Sequence, residues 1–475
     1  MLQKVISQLN PIQYEKLHGE LSDNRGEKFA KLLELYRSDK LEEAEIRESI
    51  DAKQAAFYTL KSRLFDKVQQ FLFRTSSDNR AELLKNVSSI PFLIYNTPRE
   101  TAISLLLHLE SELKKEDMPA ELVGVYSGLE KLHLHTSQFY DYQQLYNKNV
   151  AYMLALDKAE ELVSLFTREL EEFLLSLDMD KMMLLKLYLK ELSNLSRLYD
   201  SHRLKINRIM VAVTYAIFVD EKNEVPESDE TIEELLLQFK NILEAHPDHR
   251  NYRFLEPIHV FLSFEYYHLL GLRKNSNVVY EKLNSTSETF LLLSHSSPTT
   301  HFLLSKLEHQ IISSRTKEIG NEEALLFQPD PNDIFSYVNY FMHTAACLFH
   351  ANKFSEAASV LNKMLNEISF KDLSFAEAHV KLFLALNFLL ASKTDQAEIL
   401  IRSVSRKLSS DEFSGRFPAA EYFAKFLKIA LNDNSASKLN KVEAAYNTFK
   451  QINKGMAAIL QFAPLYEAHL KKLAE

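Results

Sequence analysis

The chain has 475 residues, enough for about three domains or one long array, and it carries 8 Gly and 12 Pro where ordinary usage would give roughly 33 and 24. That shortage excludes glycine-rich phosphate loops, glycine-cornered sandwiches and barrels, collagen and Gly/Ser linkers, while 46% hydrophobic and 25% charged residues supply a core with a solvated surface and exclude a disordered chain. Lys+Arg 56 against Asp+Glu 65 gives a formal net charge of −9, nearly all of it between Asp220 and Asp248, and the near-neutral remainder offers no basic stripe for nucleic acid.

In chain order, the stretch MLQKVISQLN has no apolar core of signal-peptide length before Pro11, broken as it is by Gln3, Lys4 and Gln8. No run of about 18 apolar residues follows, and Cys347, the only cysteine, excludes an internal disulfide. The expectation is a cytoplasmic protein without a membrane span. Apolar residues recur at steps of three and four, with helix-start chemistry at the breaks. Asn10-Pro11 and Ser297-Pro298 read as cap-then-proline starts, and Thr97 with Glu100 and Ser374 with Glu377 as capping boxes. The spacing predicts about twenty helices, among them 53–74, 98–116, 157–177, 179–199, 228–246, 254–271, 333–350, 354–369, 373–391 and 394–408. No alternating segment competes, so the fold class is all-α. Near the end, Met456, Ile459, Ala463, Tyr466, Leu470 and Leu473 keep helical steps, a stripe that must dock as a cap, with Pro464 kinking or dividing the helix. Polar breaks at 219–230 and 318–333 suggest an N-terminal array over 1–222, middle repeats over 228–317 and a C-terminal part over 333–475, or long loops within one continuous superhelix.

Few patterns carry chemistry. Gly124/Gly128 and Gly19/Gly26 do not fit a phosphate cradle. His246-Pro247-Asp248-His249 is the one compact ligand-like string, and a repeat junction explains it as well as a metal does. His133 and His135 fall on different helix faces. Cys347 sits between Ala346 and Leu348, the setting of an inert core thiol. Glu265 and His268, three apart on an apolar helix, read as a structural pair more readily than as an acid/base pair. Phe139, Tyr142 and Tyr146 share one face for packing, which leaves Tyr140 and Tyr152 for a surface. The basic stretch His202, Arg203, Lys205 and Arg208 reads as a solvated helix start. No metal or cofactor is expected.

Two segments align with each other. NKFSEAASVLNKML, 352–365, and SKTDQAEILIRSV, 392–404, place Ala357 and Ala397 40 residues apart, with Ala345 and Ala385 before them and Leu361 and Ile401 after. Ser276 and Tyr280 occupy the equivalent places 81 residues upstream. This pattern resembles the tetratricopeptide helix-turn-helix: a small residue midway along the first helix, a turn, then Ala and a large apolar residue. It is good over 333–408 and weak over 254–290, with a period nearer 40 than 34, no Trp, and Ala345 or Ala385 in place of the family's mid-helix Gly. The resemblance implies an α-solenoid of antiparallel hairpins, tetratricopeptide-like in its C-terminal half, that binds a protein or peptide and catalyses nothing. It places Asn339, Met342, Ala346, Phe349 and His350 from one unit, His379, Leu382, Leu386 and Leu389 from the next, and Ile258, Phe261, Glu265 and His268 from the weaker one on the concave surface. Faces this apolar must be covered, by the chain's own later helices or by an apolar partner helix. The alternatives are an all-helical enzyme with a site assembled from distant residues, and a peptide-responsive or nucleic-acid-associated regulator.

Overall fold

The computed structural model describes residues 2–474 except 8, 10, 24–26, 39–42, 51–52, 76–79, 227, 248, 250–251, 287–289, 292–296, 317–318, 320–328, 412 and 434. Asn10, Asp248 and most of the expected break at 318–333 lie outside the described residues. Helices and one 3-10 turn make up the regular structure, with no strand among the described residues. Successive helices pack against each other as stacked hairpins. No described helix is long and apolar enough to cross a membrane.

Packing divides the chain into two units, Met1–Asp157 and Lys158–Glu475. The division falls inside one 39-residue helix, Gln138–Ser176, which joins the helical face expected at Phe139, Tyr142 and Tyr146 to the helix expected at 157–177. Neither Gly nor Pro occurs in that stretch, so nothing stops the helix earlier.

In the first unit, residues from Leu2 to Phe71 form one core, and Ile90 to Leu129 form a second. The second core explains one of the rare glycines, Gly128. The short helix Ile90–Asn96 lies on Pro119–Leu132, and a Cβ on Gly128 would stand 3.0 Å from Leu106, 3.2 Å from Ile94 and 3.3 Å from Ile90. Gly124 sits one turn earlier, beside Ile90. Gly128 is thus a close-approach glycine, while a Cβ on Gly124 would meet Ile90 at an ordinary 3.7 Å.

In the second unit, hairpins pair Met179–Leu198 with His202–Phe218, Tyr252–Leu269 with Arg273–Asn284, Ile334–His350 with Phe354–Glu367, Ser374–Leu390 with Thr394–Leu408, and Pro418–Asn432 with Lys438–Ile452. The turns of three of these five hairpins share one backbone geometry, whereas the chain leaves Met179–Leu198 and Pro418–Asn432 through extended Tyr199 and Asp433. Asn352 and Ser392, 40 residues apart, both have φ +59°. Lys353 N–H donates to the Leu348 carbonyl and Asn352 N–H to that of Phe349; Lys393 and Ser392 repeat this to Phe388 and Leu389. Gly271, at φ +66°, makes the same pair of bonds with Leu272, to His268 and Tyr267. This closure satisfies the last carbonyls of the first helix and aims the chain back along it. Ala345, Ala385, Ala357, Ala397, Leu361, Ile401, Ser276 and Tyr280 are all buried.

The helix starts depart from expectation. Thr97 ends the preceding helix in extended geometry, Pro98 takes the N-cap position without a side-chain bond, and Arg99 holds Glu100 at 2.6 Å. Ser374 lies inside its helix behind Leu373, and Glu377 is drawn to Lys381 at 2.5 Å and to Lys407. In both cases a nearby cation competes successfully for the glutamate. A capping box does form at Thr231 and Glu234. Ser297-Pro298 leads into the 3-10 turn Thr299–His301, which feeds the helix Phe302–Ile312.

The C-terminal stripe is not one helix. Only Glu467–Ala474 is helical. Asn453 closes a loop ahead of it: its Nδ2 donates to the Ile459 carbonyl and its Oδ1 accepts from Ile459 N–H, both at 2.7 Å. Gly455 at φ +74° and Leu460 at φ +55° complete a path incompatible with helix.

Candidate functional site

The residues expected on a concave surface are not open to solvent. Asn339, Met342, Ala346, Phe349, Leu382, Leu386, Leu389, Ile258, Phe261 and Glu265 are buried, and His350, His379 and His268 are half-buried. Two different surroundings account for them.

Over the C-terminal hairpins the cover is the chain's own end. His350 donates from Nε2 to the Phe462 carbonyl at 2.8 Å, and Leu460 N–H donates to His379 Nε2 at 3.0 Å. Two histidines on successive first helices thus hold the backbone of one looped stretch, in which Leu460 has φ +55° and Ala463 N–H donates back to the Leu460 carbonyl. Because His379 accepts at Nε2, its proton sits on Nδ1. Apolar contacts fill the remainder. The Phe462 ring lies 5.7 Å from that of His379 and 5.8 Å from that of Phe383, and His469 lies 5.1 Å from Phe349. Leu465 N–H donates to the Tyr446 hydroxyl at 2.8 Å, and His469 Nε2 stands 3.4 Å from Asn352 Oδ1. Ile459, Leu460, Phe462, Ala463 and Leu465 are buried. Burial pushes the His379 imidazole down to about 3. It also lowers His350, against the opposing bond to Phe462, so both rings are neutral near pH 7.

Sequence reasoning named His350 and His379 but missed Phe383, Tyr446 and Asn453. The signal for Asn453 was the Asn-x-Gly turn chemistry at 453–455. Asn339 belongs elsewhere: its Nδ2 donates to Thr300 Oγ1 at 3.3 Å, towards the preceding elements.

The weaker unit opens onto a buried polar network. Glu265 and His268 do not pair with each other. Ser305 Oγ donates to Glu265 Oε1 at 2.5 Å, with His301 Nδ1 at 3.6 Å, and His268 Nε2 stands 3.4 Å from Glu308. Burial opposes charge on His301, but Glu265 and Glu308 outweigh it and raise the imidazole above its usual value. His268 is raised likewise, against burial, by Glu308 and Glu265. Next to them His309 is pushed down to about 4, by burial and then by His268. A serine nucleophile would have to give its proton to an imidazole. Here it gives it to a carboxylate that faces His301, and this bond ties the helix Tyr252–Leu269 to Phe302–Ile312.

The remaining candidates resolve locally. His246 stacks on His202 at 3.9 Å between ring centroids, His249 meets His202 edge-on at 5.6 Å, and His202 Nδ1 bonds the Tyr252 hydroxyl. Among the described residues no three His, Cys, Asp or Glu are placed to hold a metal ion. The basic stretch is paired out: Arg203 with Glu160, Lys205 with Asp200, Arg208 with Glu230. Cys347 is half-buried, its Sγ 3.8 Å from His343 Nε2. Tyr142 and Tyr146 pack on the core of the first unit, and Tyr140 is 71% exposed. The chain matches no family model, no curated protein and no solved structure.

Proposed function

We propose that this chain is a non-enzymatic helical scaffold that binds protein segments, with tetratricopeptide-like hairpins over 333–408, and that its C-terminal groove takes a looped apolar segment. In the resting chain, residues 456–466 fill that groove. The observation that carries the reading is the grip of His350 and His379 on main-chain groups of Phe462 and Leu460. Side chains on consecutive hairpins that bond main-chain groups, with apolar recesses for Ile459, Phe462 and Leu465, recognise a segment by its turn backbone and its apolar side chains together. The 40-residue recurrence of the turns at Asn352 and Ser392 supports the repeat assignment. Ser305 Oγ in the buried network donates to the Glu265 carboxylate, which supports a structural role there.

The test is Phe462→Asp in the full chain. A buried, unpaired carboxylate should eject the segment, raising hydrogen exchange over 456–474 while the helices from 334 to 452 stay protected. The vacated groove should then bind a labelled peptide of sequence 453–475 saturably in fluorescence anisotropy. A variant that keeps its hairpins but does not bind the peptide refutes the reading, as does loss of all helical signal.

A further inference from the structure

The first unit holds a cleft of about 300 Å³ where the end of Ile90–Asn96, the start of Arg99–Lys115 and the turn after Pro119–Leu132 meet. Its walls divide by chemistry. Ile94, Leu132 and Leu134 give an apolar side, and Leu134 is 58% exposed. Arg99 and Lys131 give a cationic side, and no carboxylate lines the cleft.

The two cations are not equivalent. Arg99 is fixed: its Nε donates to the Leu132 carbonyl and its Nη1 to Glu100, both at 2.6 Å, which orients the guanidinium and leaves Nη2 open. Burial first, then the Arg99 charge, lower the His133 imidazole, with Glu100 opposing them. Lys131 is exposed and enters no ion pair among the described residues. The glycine-permitted approach of Ile90–Asn96 to Pro119–Leu132 brings Ile94 against this site.

We infer that this cleft binds an organic anion: a carboxylate held between Arg99 and Lys131, carried on an apolar body that lies against Ile94, Leu132 and Leu134. A fixed guanidinium and a mobile ammonium around one oxyanion, beside a small apolar wall, select charge and ring together, where either alone binds weakly. The volume is at the small end for ligand sites, which suits about ten non-hydrogen atoms. Such a group comes either as a free aryl or branched-chain acid or as the side-chain carboxylate of a peptide next to an aromatic residue.

Fluorine NMR titration of the full chain with 4-fluorophenylacetate tests this, at a dissociation constant of about 1 mM or tighter for a ligand this size. Acetate, without the ring, and 4-fluorobenzyl alcohol, without the charge, should each bind at least about tenfold more weakly. Lys131→Glu should weaken the acid about tenfold with the melting temperature unchanged, because the side chain is exposed and unpaired. Leu134→Ser should weaken it too. An acetylated, amidated aspartyl-(4-fluorophenylalanine) dipeptide separates the sources: tighter binding than the free acid assigns the cleft to a peptide, weaker binding to a small acid. The inference is overturned if the alcohol binds as well as the acid, if Lys131→Glu changes nothing, or if no saturable binding occurs.

Discussion

Glu171 faces Asp333 and is largely buried; burial first, and then the Asp333 charge, push its carboxyl up to about 8. It therefore keeps its proton at neutral pH in the folded chain and loses it near 4.5 when unfolded. The folded state binds the extra proton between those values, so stability contributed by this group is present below about 4.5 and falls as pH rises to about 8, by a few kcal/mol in all. Glu171→Gln should flatten that part of the stability–pH curve and raise the melting temperature at pH 8.5, read by thermal denaturation across pH. At the same scale, Ser392 holds φ +59° without being glycine. Ser392→Gly should stabilise by roughly 1 kcal/mol in chemical denaturation, because the left-handed conformation costs a side chain about that much. Such residues were only half legible in the sequence. The alignment found the 40-residue spacing, but neither Asn352 nor Ser392 announces a positive φ as a glycine does. Glu171 sits in a charged run, RELEE, that reads as a solvated face.

Elements were the most legible scale. Helices expected at 179–199, 333–350, 354–369, 373–391 and 394–408 occur as Met179–Leu198, Ile334–His350, Phe354–Glu367, Ser374–Leu390 and Thr394–Leu408, because amphipathic spacing and turn chemistry agree there. What the sequence hid was competition: Lys381 and Lys407 take Glu377 from its cap, and Asn453 ties the chain into a loop where an apolar stripe suggested helix. The candidate groove was legible as an apolar face that had to be covered, with its occupant undecided between self and partner. Leu386 is fully buried, so Leu386→Asp should cost roughly 3–5 kcal/mol in the isolated protein; near-unchanged melting would mean the face is open. The docked segment should also be acid-sensitive. His379 has a folded value far below its unfolded one, so the stability it contributes is present above about 6.5 and is lost as pH falls towards 3. A protonated ring also could not accept from Leu460 N–H. Protection of 456–466 against hydrogen exchange, corrected for intrinsic rates, should therefore drop between pH 7 and pH 5 before that of the helix Ser374–Leu390. His379→Phe should lose part of the protection at pH 7 and most of its pH dependence.

For the whole molecule, two units with separate cores account for different expectations. The second, Lys158–Glu475, contains the hairpins whose spacing the sequence revealed; the first, Met1–Asp157, contains the mixed cleft, which no motif marks because its residues come from three successive elements. A charge balance of −9 concentrated over 220–248 and a basic stretch used up in ion pairs fit a scaffold for protein segments better than one for nucleic acid. The central claim is that the groove on Ile334–His350 and Ser374–Leu390 takes a looped apolar peptide and that residues 456–466 are its resident. It is tested most directly by placing a protease site after the exposed Lys454, cleaving the folded full-length chain, and following the released segment by gel filtration with an excess of fluorescent peptide of the same sequence. The account predicts that the segment stays bound after cleavage, that the labelled peptide replaces it one for one, and that the helical signal does not change. Loss of helical signal on cleavage, or a cleaved segment that never exchanges, would make residues 456–466 ordinary core and contradict the account.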